Sequence, residues 1–222
     1  MSTERAREWY KKRRKIFEKM YWGESRRRRD NLYRPSGFKE YPRDIYNLFT
    51  SLIDRDGKVV DLGCGNGLLL RHLVQHSRYR LEPYGVDFLE KSIEQAKNKI
   101  LPEYAQNFTV ANIVDYKLEP QSYDFILVDP TSIHRDDIED FVEKLAIACR
   151  PGGKIIFYAY RDVLRVLKIL SILTKTIPFL EKNLPWKLHR VVKWVGDILP
   201  LELQYRLERI EHKHVSIGVY RC

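Results

Sequence analysis

The sequence is poor in sulfur: Cys64, Cys149 and Cys222 are the three cysteines in 222 residues, far apart and in no CxxC pair. That argues against a disulfide framework and a zinc site, and a reducing cytoplasm is the simplest setting. Long apolar runs are also missing. The richest, residues 163–180, is broken by Arg165, Lys168, Lys175 and Pro178, so no transmembrane segment is expected. The opening MSTERAREWYKKRRK carries charges where an export signal needs an apolar core. With 44% hydrophobic and 12% aromatic residues the chain is not a disordered one, and it suits one domain with embellishments.

Acidic residues are scarce in one region only. Residues 1–43 hold 15 Lys and Arg against 6 Asp and Glu, which accounts for nearly all of the net charge of +10. A segment of this kind suits nucleic acid, an anionic lipid surface or an acidic substrate, or it is a solvated helix and linker. Its densest run is Arg26-Arg27-Arg28-Arg29, flanked by Tyr21, Trp22 and Tyr33. Earlier in the segment, Trp9, Tyr10, Ile16, Phe17 and Met20 approximate one helical face, which points to a basic helical cap over residues 1–43.

From residue 44 onward, strand and helix signals alternate. Strands are expected at 58–62, 81–86, 108–111, 123–128 and 154–160, and helices at 68–75, 92–100 and 138–149, the last stopped by Pro151-Gly152-Gly153. Two closing runs, 204–210 and 215–221, lie too close together for anything but an antiparallel hairpin. The fold class is therefore α/β: a doubly wound, mostly parallel seven-stranded sheet with helices on both faces and a C-terminal antiparallel hairpin.

At the end of the first strand the sequence reads VVDLGCGNGL, with Asp61 followed by Gly63, Gly65 and Gly67. Glycine permits positive φ and removes the Cβ that would hold a ligand away, and open α/β sheets bind ligands at this edge. Asp87 ends the next strand about 20 residues on, where a carboxylate can accept from both hydroxyls of a ribose. A dinucleotide loop reads GxGxxG and sets a pyrophosphate on a helix N-terminus; here position 68 is Leu, which favours a nucleoside without phosphate.

The Asp61-x-Gly63-x-Gly65-x-Gly67 pattern resembles the first motif of class I (Rossmann-like) S-adenosylmethionine-dependent methyltransferases. YGVD at Asp87, VANIVDY at Asn112, YDFILVD and the Cys149–Lys154 turn resemble four further landmarks of that family, spanning roughly 55–160 plus the hairpin. The resemblance implies S-adenosyl-L-methionine as cofactor and no metal. It implies Asp61 near the cofactor's amino-acid moiety, Gly63, Cys64, Gly65 and Gly67 as its loop, and Asp87 with Phe88 at the ribose. Asn112 would meet the adenine amino group, with Asp115 as a rival, and Ile113 would wall the ring; Asp129 borders the same site.

The acceptor is argued from Asp129-Pro130-Thr131-Ser132-Ile133-His134, which lacks the second proline and the aromatic residue of D/N-P-P-Y/F base-methylating enzymes. His134 is a candidate base or substrate contact, or a surface loop histidine; Asp129 orients substrate or caps the loop. Between the fifth strand and the hairpin, an insertion at about 161–201 reads as two basic amphipathic helices. Arg161, Arg165, Lys168 and Lys175 mark the first, Leu184, Leu188, Val191, Val192, Val195, Ile198 and Leu199 the second, with Trp186 and Trp194 at their edges. They cap the site, form a dimer surface or lie on a membrane. The expected function is methyl transfer to a small apolar or anionic metabolite, a lipophilic one if the insertion is a cap. RNA or protein methylation, with substrate held through Arg26–Arg29, is the alternative, and a catalytically idle cofactor-binding module is a third reading.

Overall fold

The computed structural model describes residues 2–22, 43–161, 164 and 194–222. The Arg26–Arg29 run, Tyr33 and both expected helices up to residue 193 lie outside the described residues. The N-terminal helix α1 (Glu4–Trp22) begins at Thr3, whose hydroxyl accepts from the Ala6 amide at 3.1 Å. This N-cap satisfies a donor that the first turn cannot. Then follow α2 (Arg43–Ser51), β1 (Gly57–Leu62), α3 (Leu68–His76), β2 (Leu81–Asp87), α4 (Glu90–Gln95) and β3 (Phe108–Val110). The second half holds β4 (Tyr123–Val128), α5 (Ile138–Ala148), β5 (Cys149–Tyr160), α6 (Leu201–Gln204), β6 (Glu208–Glu211) and β7 (Val215–Arg221).

The sheet order is β3-β2-β1-β4-β5-β7-β6, parallel as far as β5 and antiparallel at β7 and β6. Strand alternation splits the core in two. Val59, Phe125, Leu127 and Ile156 face α2, α3 and α4, whereas Val60, Ile126, Val128 and Ile155 face α5. Both faces being apolar is why these strands read as continuous rather than alternating hydrophobic runs. The chain winds outward in both directions from the β1–β4 junction, so the carboxyl ends of β2, β1 and β4 stand side by side at the switch point.

Several expected boundaries shift. The fifth strand starts at Cys149, because pairing with β4 resumes on both sides of Pro151-Gly152-Gly153 and only the register slips there. The 92–100 helix is α4 continued by a wider π turn over Ala96–Ile100, with Ile93, Ala96 and Ile100 all buried as its spacing requires. The 204–210 strand is shortened: Pro200 starts α6, the Gln204 side chain caps Leu199 O at 2.7 Å, and pairing begins only at Glu208. Over Val195–Ile198 the insertion is a 3-10 turn rather than an α-helix, with Val195 and Leu199 buried and Trp194 packed on Gly196.

The cysteine reading needs correction. Cys149 and Cys222 form a disulfide across a sequence separation of 73. Antiparallel pairing of β5 and β7 brings the start of one beside the end of the other, and Gly152 N and Gly153 O clamp the Cys222 backbone. Spacing along the chain is blind to such a pairing, and the cysteine argument for a reducing compartment falls with it. No helix among the described residues is long and apolar enough to cross a membrane.

One packing contact sets the glycine loop on the sheet. A Cβ at Gly85 would stand 2.5 Å from the Phe108 ring and 2.8 Å from Cys64 Sγ. Gly85→Ala should therefore destabilise the protein by about 1–3 kcal/mol through overpacking, read as a lower midpoint in thermal denaturation. An unchanged midpoint would show that the loop does not rest on β2 in this way.

Candidate active site

Three carboxylates end three adjacent strands. Asp61 and Asp87 are buried, at 2% and 5% exposure, and Asp129 follows β4. Asp61 receives the Tyr158 hydroxyl at 3.4 Å. Burial, with Asp87 and Asp129 adding repulsion against the Tyr158 hydrogen bond, pushes its pKa up to about 7. Burial also raises Asp87, opposed by backbone amides of Leu89, Gly65 and Phe88. Its two oxygens accept from Leu89 N at 2.8 Å and Gly65 N at 2.9 Å.

The loop between Asp61 and α3 is shaped for backbone contact. Gly63, Gly65 and Gly67 have φ of 99°, 55° and 80°, in the left-handed region open to glycine. A Cβ on Gly63 or Gly65 would meet nothing within 4 Å, so both open outward and a nucleoside can lie against bare main chain. Gly67 turns inward, 3.2 Å from the Phe108 ring by the same construction, and starts α3. Cys64 also turns inward: its buried thiol packs under the loop, raised in pKa by burial and then by Asp87 and Asp61. Only its backbone remains for a ligand. Asn66 anchors the loop to α4, its amide 3.3 Å from the Gln95 side-chain oxygen.

After β3, Asn112 folds its amide oxygen back toward Val114 N at 3.4 Å, Ile113 is buried, and Asp115 is exposed. A lysine that sequence reasoning missed holds this segment. Lys144 of α5 donates to the carbonyls of Ile113, Val114 and Tyr116 at 3.2, 2.7 and 2.7 Å. Its neighbours Phe141 and Leu145 are the buried apolar positions of the helix, and the pattern alone marks Lys144 as solvated. The ammonium instead replaces hydrogen bonds that three orphan carbonyls need.

Helix α1 lies across the carboxyl edge and touches two strand-end loops. Over the β4 loop, Tyr10 OH donates to Asp137 Oδ2 at 2.8 Å and accepts from His134 N at 2.9 Å. Trp9 stands edge-on to the His134 ring at 5.5 Å. Over the β2 loop, Phe17 meets Phe88 at 5.9 Å and Trp22 Nε1 reaches Ser92 at 3.3 Å. Arg13, flanked by Trp9 and Phe17 at 5.0 and 4.8 Å, reaches the Ser132 hydroxyl and acts on Asp129. The inward stripe is thus Ala6 and Trp9, buried, with Tyr10, Arg13 and Phe17, half-buried; Ile16, expected on it, is 62% exposed. Arg13 lies four residues from both Trp9 and Phe17, a signal present in the sequence but masked by the surrounding charge.

Asp129 accepts from Thr131 N at 2.8 Å and so caps its 3-10 turn, while burial raises its pKa against the pull of Thr131 and Arg13. His134 is buried and is not a surface loop residue. Its Nδ1 lies 3.2 Å from the Asp136 amide, which can only donate, so the neutral ring carries its proton on Nε2. Burial lowers its pKa, against Asp136 and Asp137. No His, Cys, Asp or Glu cluster among the described residues has metal-binding geometry.

Residues 59–153 match the family model of a methyltransferase domain. The chain is 31% identical over 155 residues to a ubiquinone biosynthesis O-methyltransferase of Mesorhizobium japonicum, covering 68% of this chain and 57% of that one. It is 28% identical over 106 residues to the chloroplastic tocopherol O-methyltransferase of Arabidopsis thaliana, covering 46% and 30%. The chain thus spans about half, or less, of the length of the curated relatives it matches. In fold it resembles a Pyrococcus horikoshii protein, with a TM-score of 0.57 at 20% identity over 96% of this chain and 98% of that one. A TehB-like methyltransferase of Corynebacterium glutamicum gives 0.52 at 17% identity, covering 80% and 86%. With its motifs on the strand ends where the sequence resemblance requires them, the chain belongs to the class I, Rossmann-like S-adenosylmethionine-dependent methyltransferases.

Proposed function

We propose that the protein methylates a hydroxyl oxygen on a small, lipophilic, ring-bearing acceptor. The observation that carries this reading is the aromatic roof over the β4 loop, where the Trp9 ring stands edge-on to His134 and the Tyr10 hydroxyl holds the His134 backbone. The relatives act in ubiquinone biosynthesis and on tocopherol, which supports the same acceptor class.

When bound, the cofactor supplies an electrophilic methyl group, which leaves the chain to align, to exclude water and to manage one proton. In this reading Asp87 takes the ribose hydroxyls, and Asp61 with the outward faces of Gly63 and Gly65 takes the amino-acid end. Asn112 meets the adenine amino group and Ile113 the ring, on a segment pinned by Lys144. Asp129, made more basic by burial, removes the acceptor's proton. His134 in its Nε2–H form donates to the acceptor oxygen and orients it, rather than acting as the base.

Incubating the protein and radiolabelled S-adenosylmethionine with separate lipid, metabolite, RNA and protein fractions tests the acceptor class. Label should enter the lipid fraction, with little response to salt. Label in RNA, lost steeply between about 50 and 200 mM salt as phosphate contacts are screened, would overturn the proposal in favour of the basic segment. Asp87→Ala should weaken S-adenosylhomocysteine binding by calorimetry at least ~100-fold, two hydrogen bonds to a charged group being worth about 3 kcal/mol or more.

Keeping an acid at position 61 lowers stability. Its folded pKa of about 7 lies above the unfolded value of about 3.9. The folded state therefore holds the proton longer, and stability falls as pH rises from about 4 to about 7. Asp61→Asn should raise the melting temperature of the ligand-free protein by several degrees at pH 8 and hardly at pH 4. An equal effect at both pH values would contradict a buried, ionisable Asp61.

A further inference from the structure

The contact between Tyr158 and Asp61 crosses the sheet. β4 separates β5 from β1, so their backbones stand two strand spacings apart, roughly 10 Å. Phe157 pairs with Val128, which sets Tyr158 one step beyond the end of β4, and from there the phenol reaches Asp61 Oδ1 at 3.4 Å. The ring is fixed by edge contacts to Phe49 at 5.2 Å and Tyr160 at 6.0 Å, and the residue is buried. Phenylalanine would fill the same apolar space. A buried hydroxyl is unfavourable unless it makes a hydrogen bond, so the oxygen needs an account of its own.

The charges around Asp61 supply that account. Asp87 from β2 and Asp129 after β4 oppose its ionisation, and the Tyr158 hydroxyl favours it. Tyr46 of α2 and the Cys64 thiol also feel its charge, with Arg71 acting on Tyr46 and Arg13 on Asp129. Neither Asp61 nor Asp87 is shifted by a Lys or Arg among the described residues. A cation in the place of Tyr158 would pair with Asp61 and repel an incoming ammonium, whereas a neutral donor favours the carboxylate and leaves its charge unspent.

We propose that Tyr158 is a positioning residue, whose hydroxyl holds Asp61 as an aimed carboxylate for the ammonium of the cofactor's amino-acid end. The inference rests on the assignment of Asp61 to that end of the cofactor. It makes Tyr158 a determinant of cofactor affinity without contact to the acceptor.

The test is calorimetric binding of S-adenosylhomocysteine to the full chain from pH 5.5 to 8.5, for wild type, Tyr158→Phe and Asp61→Asn, with melting temperatures of the ligand-free forms as a check on folding. Wild-type affinity should rise with pH through the titration of Asp61. Tyr158→Phe should bind about fivefold more weakly near pH 7, the effect of one lost hydrogen bond, and regain wild-type affinity at pH 8.5, with its curve displaced to higher pH. A Tyr158→Phe curve parallel to wild type, unchanged or uniformly weakened, while Asp61→Asn loses affinity, overturns the positioning role alone. Wild-type binding by Asp61→Asn at every pH overturns the assignment of Asp61 itself.

Discussion

Asp87, Asp61 and Asp129 stand on neighbouring strand ends, and neither of the first two is shifted by a Lys or Arg among the described residues. Like charges at this distance raise one another's pKa and lower stability, and a protein tolerates that where the charge is used. The opposite edge of the same sheet shows how buried charge is handled when it is structural. There Asp124 accepts from Lys58 N and pairs with Arg150 at 2.8 Å, and Lys154 meets Asp54 and Leu52 O. One edge satisfies its charges internally and the other keeps them available. In the proposed reading, the ammonium of a sulfonium nucleoside supplies the positive charge that Asp61 does not receive from a Lys or Arg among the described residues.

The rest of the architecture serves that edge. The glycine loop is seated by Cys64 and Phe108 against Gly85, so that two of its glycines open outward and the third starts a helix. Lys144 fastens the segment after β3 from the far side. Helix α1 then bridges the β2 and β4 loops with aromatic residues. A partly buried phenol in Tyr10, tied at once to Asp137 and to the His134 backbone, couples the helix to the loop that carries Asp129 and His134.

Much of this was legible in the sequence because it follows from local rules. Strand alternation, the acid before three spaced glycines and the acid ending the next strand each constrain the backbone within a few residues. What was not legible depends on residues distant in sequence meeting in space. The Cys149–Cys222 bond follows from antiparallel strand pairing, Lys144 from three carbonyls on another segment, and Tyr158 from the width of β4. Ile16 points outward although it is apolar, and Arg13 takes the inward position between the Trp9 and Phe17 rings; burial lowers its pKa, and Asp129 offsets part of that cost.

In the proposed reading the carboxylate edge formed by Asp61 and Asp87 is the cofactor site. A crystal structure with S-adenosylhomocysteine bound tests it most directly. The account predicts both ribose hydroxyls within hydrogen-bonding distance of Asp87 and the amino-acid end against Gly63, Gly65 and Asp61. A nucleoside seated elsewhere, with Asp87 engaged only by the Gly65 and Leu89 amides, would contradict it.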